Sequence, residues 1–145
     1  MVPQIRALVE AGIPVMAHVG LTPQSVNTLG GYKVQGRGEA GHVLLDDALA
    51  VQEAGAFAVV LEVVPHDLAE RVTKELDIPT IGIGAGNATD AQVLVWQDLL
   101  GLTPGRTPKF VKPYADLRGV MTSAVRSWAE DVSSGEYPDL DHSYN

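Results

Sequence analysis

The chain has 145 residues, of which 46% are hydrophobic, enough for one modest domain with a real core and too apolar for a disordered tail. A formal net charge of -8 argues against a nucleic-acid backbone as the main partner, and Cys 0 excludes disulfides, cysteine-ligated zinc and thiol nucleophiles. No unbroken apolar stretch approaches the roughly 18 residues of a membrane span, and no basic-then-apolar segment opens the chain, so the expected setting is cytoplasmic.

Residues 2–11 read as a helix. Pro3 suits its first turn, Ile5, Leu8 and Val9 make one apolar face, and Gly12 suits the position just past its end. No strand precedes this helix, so the pattern is expected to begin part-way through a larger repeat. Residues 13–19 then read as a strand, with Pro14 at its beginning, where a missing N–H is tolerated. A long connection over 20–41 holds Gly20, Gly30, Gly31, Gly36, Gly38 and Gly41, and within it Thr22-Pro23-Gln24-Ser25 resembles the cap and first turn of a short helix. A loop of this length in a compact domain is usually functional or disordered. Its glycine clusters favour folded turns with close backbone approach.

The spacing of Leu44, Ala48 and Val51 predicts a second helix over 42–54, with Gly55 ending it. A strand follows over 56–63, then a helix over 66–76 that turns Leu68, Ala69, Val72 and Leu76 inward. A third strand is predicted over 78–83, a tight glycine loop over 84–87, and a fourth β-like run over 92–96. Glu-Ala-Gly recurs before two of the strands, at Glu10-Ala11-Gly12 and Glu53-Ala54-Gly55, which marks a repeated helix-to-strand turn. The remainder divides into a loop over 102–114 and a C-terminal helix and tail over 115–145. In that helix Leu117, Met121, Ala124, Trp128 and Val132 fall on one stripe, to pack on the domain or reach a neighbouring subunit.

Strands alternating with helices imply an α/β fold with parallel strands and right-handed crossovers. About four such βα units make half of a (β/α)8 TIM-type barrel, a fold that takes about 250 residues when whole. Residues 1–101 would be that half barrel. A half barrel leaves two strand edges and an apolar inner face uncovered. An open doubly wound sheet is the alternative use of the same units.

Val59-Val60-Leu61-Glu62-Val63-Val64-Pro65 is an apolar run with a single carboxylate near its end. A carboxylate in an apolar wall binds a proton more readily than one in water, which suits a general base; a structural ion pair or a solvent-facing side chain would also explain it. Alternation places Ala56, Ala58, Val60 and Glu62 on one face, suited to a barrel interior with Glu62 at its mouth, and Phe57, Val59, Leu61 and Val63 on the face toward the helices. His18, at the end of the first strand, is either a core histidine bonded to a backbone carbonyl or a donor to a substrate carboxylate or carbonyl. The loop from Gly82 to Gly86 could cradle a phosphate, approach a small ligand or simply turn tightly; its spacing alone is weak evidence for the first. Ser25 has no evident base, and the four histidines show no metal-ligand spacing.

Several longer stretches together resemble the ketopantoate hydroxymethyltransferase family. They are His18-Val19-Gly20-Leu21-Thr22-Pro23-Gln24-Ser25-Val26-Asn27, then Gly30-Gly31-Tyr32-Lys33-Val34-Gln35-Gly36-Arg37-Gly38. Leu61-Glu62-Val63-Val64-Pro65, Ile78 through Gly86, and the tail Gly135-Glu136-Tyr137-Pro138 with His142-Ser143 follow in the right order. The likeness covers essentially the whole chain but only the C-terminal half of the family's enzyme. It implies a (β/α)8 barrel assembling as a homodecamer. The implied reaction carries a hydroxymethyl group from 5,10-methylenetetrahydrofolate to 3-methyl-2-oxobutanoate, giving 2-dehydropantoate for pantothenate synthesis, with Mg²⁺ holding the keto acid. The family's general base aligns with Glu62 and its substrate-contacting histidine with His18. Its metal-binding aspartates and substrate lysine belong to the N-terminal half and have no counterpart here, so no metal ligand is assigned in this chain. The expectation is a half enzyme, inactive until an N-terminal half completes the barrel. The competing expectations are a non-catalytic assembly module and a different barrel enzyme that uses Gly82 to Gly86 for phosphate.

Overall fold

A computed structural model describes every residue except Leu29 and Asn145. It divides into two compact units, Met1–Val93 and Leu94–Asn145. That division falls earlier than the sequence reading, which carried the barrel half to residue 101.

In the first unit the elements run α1 (Val2–Glu10), β1 (Met16–Gly20), a 3₁₀ turn (Pro23–Ser25), α2 (Ala40–Glu53), β2 (Ala58–Glu62), α3 (His66–Glu75), β3 (Thr80–Ile83) and β4 (Ala91–Gln92). The strands form one sheet in the order β1-β2-β3-β4, every neighbouring pair parallel. This is the α/β architecture of half a (β/α)8 barrel: sequential parallel strands, with helices α2 and α3 crossing between the first three. β1 and β4 are the edges of this sheet.

The repeated Glu-Ala-Gly turn is a matched pair of helix endings. Gly12 and Gly55 take φ values of +80° and +95°, a region open to glycine at little cost. After α1, Ile13 N–H donates to Leu8 O and Gly12 N–H to Val9 O; after α2, Ala56 N–H donates to Val51 O and Gly55 N–H to Gln52 O. Both satisfy orphan helix carbonyls in the Schellman manner and aim the chain into the next strand.

The core lies on one face of the sheet. Ala17 and Val19 of β1 and Val59 and Leu61 of β2 pack with Leu44, Leu45, Ala48 and Val51 of α2 and Leu68, Ala69 and Val72 of α3. Val59, Leu61, Ala69 and Val72 are completely buried. Val59 and Leu61 therefore face the helices, as the alternation predicts. Phe57 departs from it: the strand begins one residue later, and Phe57 is half exposed. On the other face Met16 and His18 are exposed and Val60, Glu62, Ile81 and Ile83 are only partly covered.

The fourth strand is shorter than predicted. Only Ala91–Gln92 pairs with β3, after which Val93 N–H makes one bond to Gly82 O. Val93 and Val95 are about half exposed, and Val95 is the cap of a short helix, α4 (Trp96–Leu99). The helical spacing of Trp96, Leu99 and Leu100 ends the β-branched run before it can extend as a strand. The connection over 84–90 carries no helix. Side chains close it instead: the Asp90 carboxylate accepts from Thr80 N–H (2.8 Å) and Thr80 Oγ1–H (2.9 Å), and Gln92 Nε2 donates to Gly86 O (2.9 Å) and Thr89 Oγ1 (2.7 Å). Thr80 is fully buried, and its hydroxyl also lies 2.9 Å from Thr73 Oγ1 of α3.

The second unit holds α4 and α5 (Leu117–Ser134). The Asp116 side chain caps α5 by accepting from Gly119 N–H (3.0 Å), and Gly135 ends it at φ +79°. No residue of α5 is buried. The predicted stripe is present, yet Met121, Trp128 and Val132 are each about half exposed. Among the described residues no helix is long and apolar enough to cross a membrane.

Candidate active site at the C-terminal end of the sheet

Parallel strands put all their C-terminal ends on one edge, and β1, β2 and β3 end there at Gly20, Glu62 and Ile83. The register sets His18 beside Val60 and Gly20 beside Glu62. His18 and Glu62 are thus diagonal neighbours on the open face, within reach of long side chains. His18 Nε2 lies 3.1 Å from Glu62 Oε2. The imidazole is one-third exposed and the carboxylate 15% exposed. Each predicted site residue therefore has the other as its partner: Glu62 is not a lone carboxylate, and His18 bonds a side chain where a backbone carbonyl was the bland expectation. Ile83 stands beside Glu62 and Ile81 beside Val60, so this face surrounds the pair with apolar groups.

The backbone below Glu62 is held from several directions. Leu21 N–H donates to Glu62 O (2.8 Å), Val63 N–H to Ile83 O (2.8 Å), and Gln35 N–H to Val63 O (2.9 Å). Gly20 has φ +89°, and any Cβ there would collide with the Glu62 carbonyl and meet Val64 Cγ2 at 2.8 Å. Val63 has φ +52°, a conformation that a β-branched residue adopts only under constraint. Such strain gathers at functional positions, and here it falls directly after Glu62.

The glycine turn resolves toward its plainest reading. A Cβ on Gly82 would meet Thr89 Oγ1 at 2.6 Å, and one on Gly86 would meet His66 Cβ at 2.6 Å. The space that these glycines leave is filled by the chain itself. Among the described residues no group of three or more His, Asp or Glu side chains could hold a metal ion. The His18–Glu62 pair falls short of the oxygen-rich octahedral shell that Mg²⁺ takes, so the residues present do not fit that ion.

Sequence reasoning missed two features of the sheet, one at each end of its strands. The Thr80–Asp90 bond network had one available signal, a threonine inside an apolar strand. The left-handed Val63 had none, because nothing in a Leu-Glu-Val-Val run forecasts it.

A family profile described as ketopantoate hydroxymethyltransferase matches residues 1–140. The chain belongs to the ketopantoate hydroxymethyltransferase family. Among curated relatives, a 3-methyl-2-oxobutanoate hydroxymethyltransferase of Streptomyces coelicolor is 68% identical over 141 residues, covering 97% of this chain and 48% of the relative. Those of Frankia casuarinae and Acidothermus cellulolyticus are each 66% identical over 140 residues, again 97% of this chain, and 47% and 52% of the relatives. The chain thus spans about half the length of the relatives it matches. His18 and Glu62 lie inside the stretch that the ketopantoate hydroxymethyltransferase profile matches.

Proposed function

We propose that this chain supplies the proton-abstracting half of a hydroxymethyl transfer to a 2-oxo acid. The substrate is 3-methyl-2-oxobutanoate and the one-carbon donor is 5,10-methylenetetrahydrofolate, giving 2-dehydropantoate on the route to pantothenate. Glu62 removes the proton beside the ketone, a carbonyl-activated C–H that a carboxylate in apolar surroundings can take. The resulting carbon bonds to the donor's methylene carbon, and both carbon–nitrogen bonds to that methylene break to release tetrahydrofolate. A water molecule supplies the hydroxyl oxygen; the abstracted proton and the water's second proton go to the two nitrogens. His18 occupies one oxygen of Glu62 and leaves the other to receive the proton; when doubly protonated it can also donate from its second ring nitrogen to the acid's carboxylate or carbonyl. The observation that carries this reading is the 3.1 Å His18–Glu62 pair at the C-terminal strand ends, the edge where (β/α)8 enzymes keep their chemistry.

The Mg²⁺ of this reading would polarise the oxo acid. Its ligands come from outside these residues, since those described offer no set for it. The partner is the N-terminal half of the barrel. The exposed stripe of α5 supports a homo-oligomer, and a cytoplasmic enzyme of small metabolites fits the whole.

The test joins this chain to an N-terminal half. Turnover should appear on mixing with Mg²⁺ and both substrates, while the 145-residue polypeptide alone should give none. Clear activity of the single chain refutes the division of labour. A second reading, a non-catalytic assembly module, is favoured by the missing metal set; it predicts that mixing restores no turnover.

A further inference from the structure

We propose that the cavity between the beginnings of α2 and α3 binds an oxyanion, a carboxylate or phosphate group carried by a ligand at this end of the sheet. The cavity has a volume of about 440 Å³ and lies among Arg37, His42, Pro65, Asp67, Leu68 and Arg71. Its floor is tightly built. A Cβ on Gly36 would meet Leu68 Cδ2 at 2.6 Å and Leu44 Cδ1 at 3.1 Å, so the glycine-rich loop rests directly on the two helices. The rim is cationic in a chain of net charge -8. Arg37 comes from the loop and Arg71 from α3, and neither forms an ion pair among the described residues. Asp67 stands one turn before Arg71 on α3 yet does not pair with it. It sits in the first turn, where a carboxylate answers the helix dipole, and the two guanidinium groups outnumber it. Guanidinium groups match carboxylate and phosphate oxygens with paired donors, and His42 adds another donor to the same rim.

The position ties the cavity to the candidate active site. Both helices begin at the C-terminal edge of the sheet, and Pro65 in the cavity wall is three residues beyond Glu62. One source of the oxyanion is the glutamate tail of a folyl co-substrate, and this source rests on the function proposed above. The other is a phosphate group.

Calorimetric titration of the chain at low salt with inorganic phosphate, and separately with γ-linked triglutamate, tests the assignment. At least one probe should bind, and the Arg37→Gln/Arg71→Gln double variant should weaken it by about tenfold or more. Tighter binding of triglutamate identifies a polycarboxylate tail, and tighter binding of phosphate identifies a phosphoryl ligand. Glu62→Gln should leave the titration unchanged, so failure of the proposed base and failure of this site are read separately. Both arginines are exposed, and an unchanged circular dichroism spectrum establishes that the double variant is folded. Binding of neither probe, or binding that the folded double variant retains in full, overturns the proposal.

Discussion

The two faces of the sheet differ in what they carry. Ala17, Val19, Val59, Leu61 and Thr80 point to the helix side and are all nearly or fully buried. Met16, His18, Val60, Glu62, Ile81 and Ile83 occupy the other side and stay partly or largely exposed. The same five-residue strand, Ala58–Glu62, serves both, because successive side chains alternate. The helix side holds the fold together. The open side holds the ionisable pair, and its apolar positions Val60, Ile81 and Ile83 stay only partly covered. Substitutions on the two sides should therefore fail differently, one in stability and the other in chemistry.

The largest expected effect is on the open side. In the completed barrel, Glu62→Gln should slow exchange of the substrate proton by roughly 10²–10⁴-fold while oxo-acid binding persists. Deuterium exchange followed by NMR reads this directly, and undiminished exchange would remove Glu62 as the base. On the helix side, Leu61→Ala should cost about 2–5 kcal/mol in a denaturant titration, whereas Ile83→Ala, only partly covered, should cost less. Equal losses would break the distinction between the faces. Between them sits Gly20→Ala, which forces a side chain into a left-handed position and against the Glu62 carbonyl. It should destabilise by about 1–3 kcal/mol and lower exchange activity as well, because it displaces the backbone that aims Glu62. Loss of stability with unchanged activity per folded molecule would show that this aim is not needed.

The smallest effect concerns pH. Bonds from Thr80, first its backbone N–H and then its hydroxyl, hold Asp90 below the usual carboxylate range. The folded state then binds this proton less readily than the unfolded chain. The contribution is fully present above the ordinary carboxylate value and fades as pH falls through the lowered one. Asp90→Asn should flatten the acid limb of the stability curve by well under about 1 kcal/mol, since the group is exposed.

Much of this arrangement was legible before folding was considered. Gly12 and Gly55 mark their helix ends through local chemistry, and a carboxylate near the close of an apolar run singled out Glu62. The pairing with His18 was not legible, because strand register depends on contacts far apart in the chain. Nor was the point where β4 leaves the sheet: Val93-Leu94-Val95 has strand-like residues, but the helix that follows outcompetes them. The oxyanion cavity draws on a loop and two helices, and only the folded chain brings Arg37 and Arg71 to one rim.

The outer margin of β1 has a bearing on handling the polypeptide. Its amide and carbonyl groups on the side away from β2 offer a ready template for another extended backbone. Concentrated by itself, the polypeptide should seed its own precipitation through this margin. Co-production with any chain able to pair with β1 should keep it in solution.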